Sequence, residues 1–202
     1  MAKIWFKYGA MGASKSAQLL MTNYNYLEKG LNPLLLQPKI ANRDGDKVIK
    51  SRIGLSAICE YVEDFIFPND WKLTKSLVKE YDSIIIDEVQ FLSIEEIDIL
   101  WKIVKKCKIP VLCFGLDTDF RLKHFPASKR LRHIIKKHPN KGVIEELKTV
   151  CWCGNGATCN ARISNGKIIK TGKQIMMGAN ESYISLCKKH YKNGNLGPHY
   201  NI

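Results

Sequence analysis

The stretch that decides the fold is the segment Gly9-Ala10-Met11-Gly12-Ala13-Ser14-Lys15-Ser16. It follows the short apolar run Ile4-Trp5-Phe6 and precedes a segment with helical periodicity. A strand, a loop of small residues and a Lys-Ser pair at a helix start are the parts of a phosphate-binding P-loop. Small residues let backbone N–H groups surround a phosphate chain, Lys15 supplies a cation, and the Ser16 hydroxyl can hold Mg²⁺. The alternative for so short a motif is an ordinary turn.

The composition is that of an ordinary soluble globular protein. The 202 residues suit a single domain, or a domain with a small appendage, and 45% are hydrophobic and 25% charged. No apolar run approaches the roughly 20 residues of a membrane span, and residues 1–4 lack a signal-peptide pattern, so we expect a cytoplasmic protein without a membrane partner. The net charge is +13, but the lysines are spread along the chain. We therefore expect small anionic ligands such as nucleotides, and no nucleic-acid partner.

Predicted strands and helices alternate up to about residue 150. The apolar runs 34–36, 84–86 and 110–116 predict strands. Helices are predicted over 71–81, over 127–137 and after the capping box formed by Ser93 and Glu96. This order predicts an α/β fold, a P-loop NTPase-like parallel sheet with helices on both faces.

Two further segments carry local predictions. The helix after the P-loop should present an apolar face made of Ala17, Leu20, Met21, Tyr24 and Leu27. The polar stretch 41–54 should form a loop. After Thr149 the chain becomes rich in Cys, Gly and Asn, with a hairpin signal at Asn165-Gly166. We therefore expect an ATP-binding domain over 1–149 and a small C-terminal lobe over 150–202.

The pair Asp87-Glu88 follows the apolar strand 84–86 directly. In P-loop proteins an acidic residue at such a strand end holds Mg²⁺, and Asp87 fits that role. Glu88 should point the other way if the strand continues, because side chains alternate. A carboxylate beside the γ-phosphate could accept a proton from a substrate hydroxyl. The alternative is a solvated acidic edge.

The C-terminal lobe carries residues with zinc-ligand chemistry. Cys151-x-Cys153 and Cys187-x₂-His190 supply three thiolates and an imidazole, a set that closes a tetrahedral Zn²⁺ site and stabilises a lobe with little core. The odd count of seven cysteines argues against a disulfide framework. The C-x-C spacing is tight, so Cys159 stays a competing ligand, and free buried cysteines are the alternative.

Aromatic residues surround the turn 115–120, where a doubly wound sheet binds ligands. These are Phe114, Phe120 and Phe125, together with Leu116. At the carboxyl end of a strand their rings could stack on a base.

Taken together, these pieces resemble the type II thymidine kinases, most closely the bacterial and bacteriophage branch. The matching segments are Tyr8–Ser16, Tyr24–Tyr26, Ser51–Leu55, Asp87–Leu92, Thr118–Phe120, Leu147–Gly154 and Gly178–Tyr191. That branch uses C-x-C in its first zinc knuckle, which favours Cys153 over Cys159 as a ligand.

The resemblance implies transfer of the γ-phosphate of ATP to the 5′-hydroxyl of thymidine, with Glu88 as the general base. It implies an ATP-phosphate site made of Gly9, Ala10, Met11, Gly12, Ala13, Ser14, Lys15, Ser16, Arg43, Asp87 and Gln90, with Ser16 and Asp87 at Mg²⁺. It implies a thymidine pocket walled by Met11, Phe91, Leu116, Phe120 and Phe125. It further implies a lasso around 176–183, including Met176, Gly178 and Tyr183, that closes over the base and is anchored by structural zinc on Cys151, Cys153, Cys187 and His190. The family forms homotetramers and is inhibited by dTTP.

Four positions depart from the family pattern. Ser14 replaces the P-loop glycine, which takes positive φ freely, whereas serine is strained there. Ala17 replaces a threonine, Ala41 an aspartate, and Asp117 a frequent arginine. Ser14 and Ala41 keep open the hypothesis of a weakened homologue that senses dTTP or thymidine without turnover. The basic charge and the Cys/His knuckles keep open a third, a zinc-containing nucleic-acid binder.

Overall fold

The structure is a computed structural model that describes residues 2–42, 45–174 and 182–198. Within these residues, five α-helices and eleven strands follow one another along the chain. Their order is β1 (Ile4–Tyr8), α1 (Lys15–Glu28), β2 (Pro33–Gln37), β3 (Val48–Lys50), β4 (Ser56–Ile58), β5 (Glu60–Tyr61), α2 (Trp71–Val78), β6 (Ser83–Ile86), α3 (Ile94–Lys106), β7 (Val111–Gly115), α4 (Pro126–Lys137), β8 (Gly142–Glu146), β9 (Cys159–Ser164), β10 (Lys167–Ile169), β11 (Ser182–Leu186) and α5 (Lys188–Asn193).

The main sheet has six parallel strands in the order β5-β2-β6-β7-β1-β8. Successive side chains along a strand belong alternately to two apolar clusters. In β6, Ile84 and Ile86 pack with α3 and α4, whereas Ile85 packs with α1. Side chains alternate across a strand, so the two clusters are the two faces of the sheet. The predicted α/β sheet with helices on both faces is confirmed.

The capping box at the start of α3 is confirmed in detail. Ser93 Oγ accepts from Glu96 N at 3.1 Å, and Glu96 Oε2 accepts from Ser93 N at 2.7 Å. Lys105 and Lys106 lie in the last turn, where cations stabilise the helix dipole.

The predicted apolar face of α1 is wrong in part. The helix buries Ala17, Leu19 and Leu20, while Met21, Tyr24 and Leu27 are half exposed or more. Two neighbouring stripes of the helix carry apolar residues, and periodicity alone does not distinguish the stripe that meets the sheet.

The predicted loop over 41–54 is also wrong in part, because β3 lies inside it and pairs with β4 as a small antiparallel hairpin. Ile49 of β3 is 3% exposed and packs in the cluster under α1. Ser51 closes the hairpin, since its hydroxyl accepts from Leu55 N and its backbone N–H donates to Leu55 O.

The C-terminal part of the chain has its own sheet, in the antiparallel order β10-β9-β11, and its own apolar cluster. Asn165 and Gly166 form the predicted hairpin turn between β9 and β10, and both have positive φ, as a type I′ turn requires. A domain boundary near residue 150 stays a prediction. No helix in the described part of the chain is long and apolar enough to cross a bilayer.

Candidate active site

The loop between β1 and α1 has the backbone of a phosphate-binding loop. Gly9 admits no side chain, because a Cβ there would lie 2.5 Å from Leu147 O. Gly12 has φ +79°. Ser14 adopts φ 54° and ψ 27°, the left-handed region that costs a non-glycine residue roughly 1–2 kcal/mol. The sequence-based expectation that this position demands positive φ is confirmed.

The polar side chains at the start of α1 reach the end of β6. Lys15 is 9% exposed, and its Nζ donates to Gly9 O at 3.1 Å and to Ala10 O at 3.0 Å. Ser16 Oγ donates to Asp87 Oδ2 at 2.8 Å. The hydroxyl and the carboxylate that a P-loop protein places at Mg²⁺ are therefore adjacent.

Asp87 is buried, with 4% of its surface exposed, and its Oδ1 accepts from Glu88 N at 2.9 Å. Burial first, and then the charge of Glu88, raises the pKa of Asp87 to about 7, against the opposing effects of the Ser16 and backbone hydrogen bonds and of Lys15. A cation held by this carboxylate would favour its ionised form.

Glu88 is oriented by a break in the strand. Because β6 ends at Ile86, the alternation of side chains does not extend to Glu88, which has φ 49° in the left-handed region. Non-glycine residues in this region cluster at functional sites. Its Oε2 accepts from Gln90 Nε2 at 2.5 Å, and the side chain lines a cavity next to the P-loop.

Gln90 is a bridge across the carboxyl ends of β6 and β7. It is 2% exposed, and while its Nε2 donates to Glu88, its Oε1 accepts from Leu116 N at 2.9 Å. Gly115 makes room for it, because a Cβ on Gly115 would lie 2.4 Å from Gln90 Oε1. Gln90 therefore holds the Glu88 carboxylate in place.

A cavity of about 330 Å³ runs from the P-loop past Glu88 to an aromatic wall. Its lining includes the predicted pocket residues Met11, Phe91, Leu116, Phe120, Phe125 and Tyr183. The rings of Phe91 and Phe125 meet edge to face at 6.3 Å. Phe114 does not belong to this wall, because it is fully buried in the apolar cluster beneath α1.

Three of the predicted site residues, Arg43, Met176 and Gly178, lie outside the described residues. The cavity also has lining residues to which sequence reasoning assigned no role, among them Asp119, Asn160 and Gln174. Gln174 Nε2 donates to Asp119 Oδ2 at 3.2 Å. These residues are far apart in sequence, and no local pattern indicates that they meet.

The structure shows the surroundings of the departures at positions 41 and 117. Ala41 lines the cavity. Asp117 accepts two hydrogen bonds from the Arg132 guanidinium of α4, at 2.7 and 2.8 Å. The carboxylate at 117 is thus paired with a basic residue of the adjacent helix.

The four predicted zinc ligands converge. One ligand atom from each of Cys151, Cys153, Cys187 and His190 lies within 4.8 Å of the others. The Sγ atoms of Cys151 and Cys187 are 3.4 and 3.5 Å from His190 Nδ1. A tetrahedron with Zn–S of about 2.3 Å and Zn–N of about 2.0–2.1 Å has S···N edges of about 3.5 Å, so the set fits Zn²⁺.

Cys159 is outside this cluster, with its buried Sγ 3.9 Å from Thr158 Oγ1. Trp152 stacks on the His190 ring at 4.3 Å and fixes the plane of the imidazole. The structure therefore favours Cys153 over Cys159, as the family resemblance implies.

Comparison with known proteins places the chain in a family. The sequence profile of the thymidine kinase family matches residues 2–191. The chain belongs to the thymidine kinase family. Curated thymidine kinases align with nearly all of it. That of Legionella pneumophila (strain Lens) is 42% identical over 98% of this chain and 92% of the relative. That of Haemophilus influenzae is 40% identical over 95% of this chain and 97% of the relative. That of Yersinia pseudotuberculosis is 38% identical over 95% of each.

A solved structure, AMPPCP-bound DnaA from Aquifex aeolicus, aligns with a TM-score of 0.41 and 19% identity over 73% of this chain and 40% of that chain. That likeness is loose. The family membership rests on the thymidine kinases, and the resemblance stated from the motifs is confirmed.

Proposed function

We propose that this chain is a thymidine kinase that transfers the γ-phosphate of ATP to the 5′-hydroxyl of thymidine. The observation that carries the proposal is the position of Glu88 in a cavity that is lined at one end by the P-loop, where Ser16 bonds to Asp87, and at the other by aromatic rings. In this proposal the phosphate chain of ATP lies at the P-loop end of the cavity, and the base of thymidine lies at the aromatic end.

Each residue then has a physical role. Lys15 and the N–H groups of residues 9–16 neutralise and orient the ATP phosphates. Ser16 and Asp87 would hold Mg²⁺, which spreads the charge that develops on the transferred phosphoryl group. Glu88, oriented by Gln90, accepts the proton of the 5′-hydroxyl. Phe91, Phe120 and Phe125 enclose the base and exclude water.

The remaining features follow the family. We propose that residues 1–149 bind ATP, and that residues 150–202 form a zinc lobe whose lasso, around 176–183, closes over the base. Arg43 would lie near the phosphates, and Met176, Gly178 and Tyr183 near the base. A cytoplasmic homotetramer inhibited by dTTP is part of the same proposal.

The test of substrate class is a phosphoryl-transfer assay with ATP·Mg²⁺ and the four common deoxynucleosides. We expect thymidine to have the highest kcat/KM. Equal turnover of a purine deoxynucleoside would contradict the proposal, and binding of thymidine or dTTP without turnover would indicate a sensor.

The backbone of Ser14 gives a prediction for the P-loop. Ser14→Gly removes the Cβ that strains the left-handed conformation, so we expect ATP affinity or kcat/KM to rise by up to about tenfold, which corresponds to about 1.4 kcal/mol. Ser14→Ala is the control, since alanine keeps the Cβ and should give no gain. An unchanged Ser14→Gly variant would mean that the strain does not burden nucleotide binding.

Gly115 gives a second prediction, because its missing side chain makes room for Gln90. Gly115→Ala should displace Gln90, release Glu88 and lower kcat by about tenfold, as misplaced catalytic groups do. Gly156→Ala is the matched control, since a Cβ there meets no atom within 4 Å. Steady-state kinetics measure kcat for both variants. Equal kcat values would show that Gln90 does not position Glu88.

A further inference from the structure

Two side chains of the C-terminal sheet form a pair that faces the P-loop. Asn160 of β9 and Ser185 of β11 lie directly opposite each other in the antiparallel register. Directly opposed residues project their side chains to the same face of a sheet. Asn160 is only 4% exposed, and asparagine side chains are seldom buried to that extent.

Both side chains bind the backbone of the same residue, Met11. Asn160 Oδ1 accepts from Met11 N at 2.7 Å, and Ser185 Oγ donates to Met11 O. The residues in each contact are 149 and 174 positions apart in sequence. Side chains of β9 and β11 thus bond to both the backbone N–H and the backbone carbonyl of Met11. In a sheet, the backbone of a neighbouring strand would bond to these groups.

Met11 lies in the irregular part of the P-loop. It lies between the end of β1 and the start of α1, next to Gly12 with its positive φ. Within the loop, Ala13 N donates to Ala10 O at 3.1 Å. Thr149 Oγ1 donates to Gly12 O at 3.3 Å, again from beyond the main sheet. The backbone of Met11 is therefore held by the C-terminal sheet, and that of Gly12 by Thr149, which follows β8.

We infer that Asn160 and Ser185 are positioning residues for nucleotide binding, which act by holding Met11 and so pre-organising the phosphate-binding loop. The inference rests on the proposed function in one respect, namely that residues 9–16 bind the phosphates of ATP. A loop already fixed in its binding conformation avoids the entropy cost of ordering when ATP binds. Because β11 ends directly before Cys187, the zinc site supports the same pair.

The test measures ATP binding by calorimetry in the absence of thymidine, on the zinc-loaded full chain. Asn160→Leu removes the amide oxygen that accepts the hydrogen bond from Met11 N. We therefore expect ATP affinity to fall by about fivefold to 100-fold. Ser185→Ala should give a smaller loss in the same direction, and Ser185→Thr, which keeps the hydroxyl, should restore the affinity. The double variant should lose less than the product of the two single losses, because both side chains hold the same residue.

A competing role for Asn160 is direct contact with the nucleoside, since it also lines the cavity. In that case Asn160→Leu would raise the KM for thymidine and leave ATP affinity unchanged, and this result would overturn the inference. Failure of Ser185→Thr to restore ATP binding at an unchanged melting temperature would also overturn it.

The readout separates this inference from the proposed function. A wild-type chain that binds ATP but does not phosphorylate thymidine would refute the kinase proposal, while the losses in the Asn160 and Ser185 variants would still support their positioning role. Transfer to thymidine with equal ATP affinity in all variants would refute the positioning role alone.

Discussion

Glu88→Gln is expected to lower kcat for thymidine phosphorylation by about 10²–10⁴-fold, the range typical of a lost general base. The amide has the size of the carboxylate, and its oxygen can still accept the Gln90 hydrogen bond, so the side chain should keep its place. Proton acceptance is what is lost. ATP and thymidine affinities should therefore change little, and single-turnover kinetics with separate binding titrations measure both quantities.

The control for this variant is Glu28→Gln, which makes the same chemical change on an exposed carboxylate at the end of α1. It should leave kcat unchanged. A Glu88→Gln enzyme that keeps near wild-type kcat would show that Glu88 is not the base. A large rise in KM at constant kcat would instead make Glu88 a binding residue.

Loss of the zinc site is the second large effect that we expect. The wild-type chain should carry a single tightly held zinc ion, and His190→Ala should release it and destabilise the C-terminal lobe by about 4 kcal/mol or more. The KM values for both substrates should rise, because Tyr183 lines the cavity and Ser185 holds Met11. Elemental analysis and thermal unfolding measure the first two changes.

Cys159→Ala is the matched control for the zinc site. It removes a buried thiol from the same lobe, but that thiol lies outside the ligand cluster, so the zinc content should stay that of the wild type. Purified wild-type protein without zinc, or a Cys159→Ala variant that loses it, would contradict the assignment of the four ligands.

The sequence predicted best the features that depend on neighbouring residues. The P-loop, the capping box of α3 and the Asn165-Gly166 turn each require particular residue types at fixed short spacings, and all three are present in the structure. The order of strands and helices was likewise sufficient to predict a parallel sheet.

The features that the sequence did not predict depend on contacts between distant segments. Met21, Tyr24 and Leu27 are as apolar as the buried stripe of α1, so only the packed sheet determines which stripe is covered. The left-handed backbone of Glu88 arises where β6 ends, and the alternation rule does not apply there. Gln90 bridges to Leu116 and Asn160 to Met11 across 26 and 149 positions, which no local pattern records.

The most direct test of phosphoryl transfer to thymidine follows the label from γ-labelled ATP during incubation of the zinc-loaded wild-type chain with Mg²⁺ and thymidine. We expect the label to appear in thymidine 5′-monophosphate, with unlabelled ADP as the other product. Label that stays in ATP, or that is released only as inorganic phosphate, would contradict it.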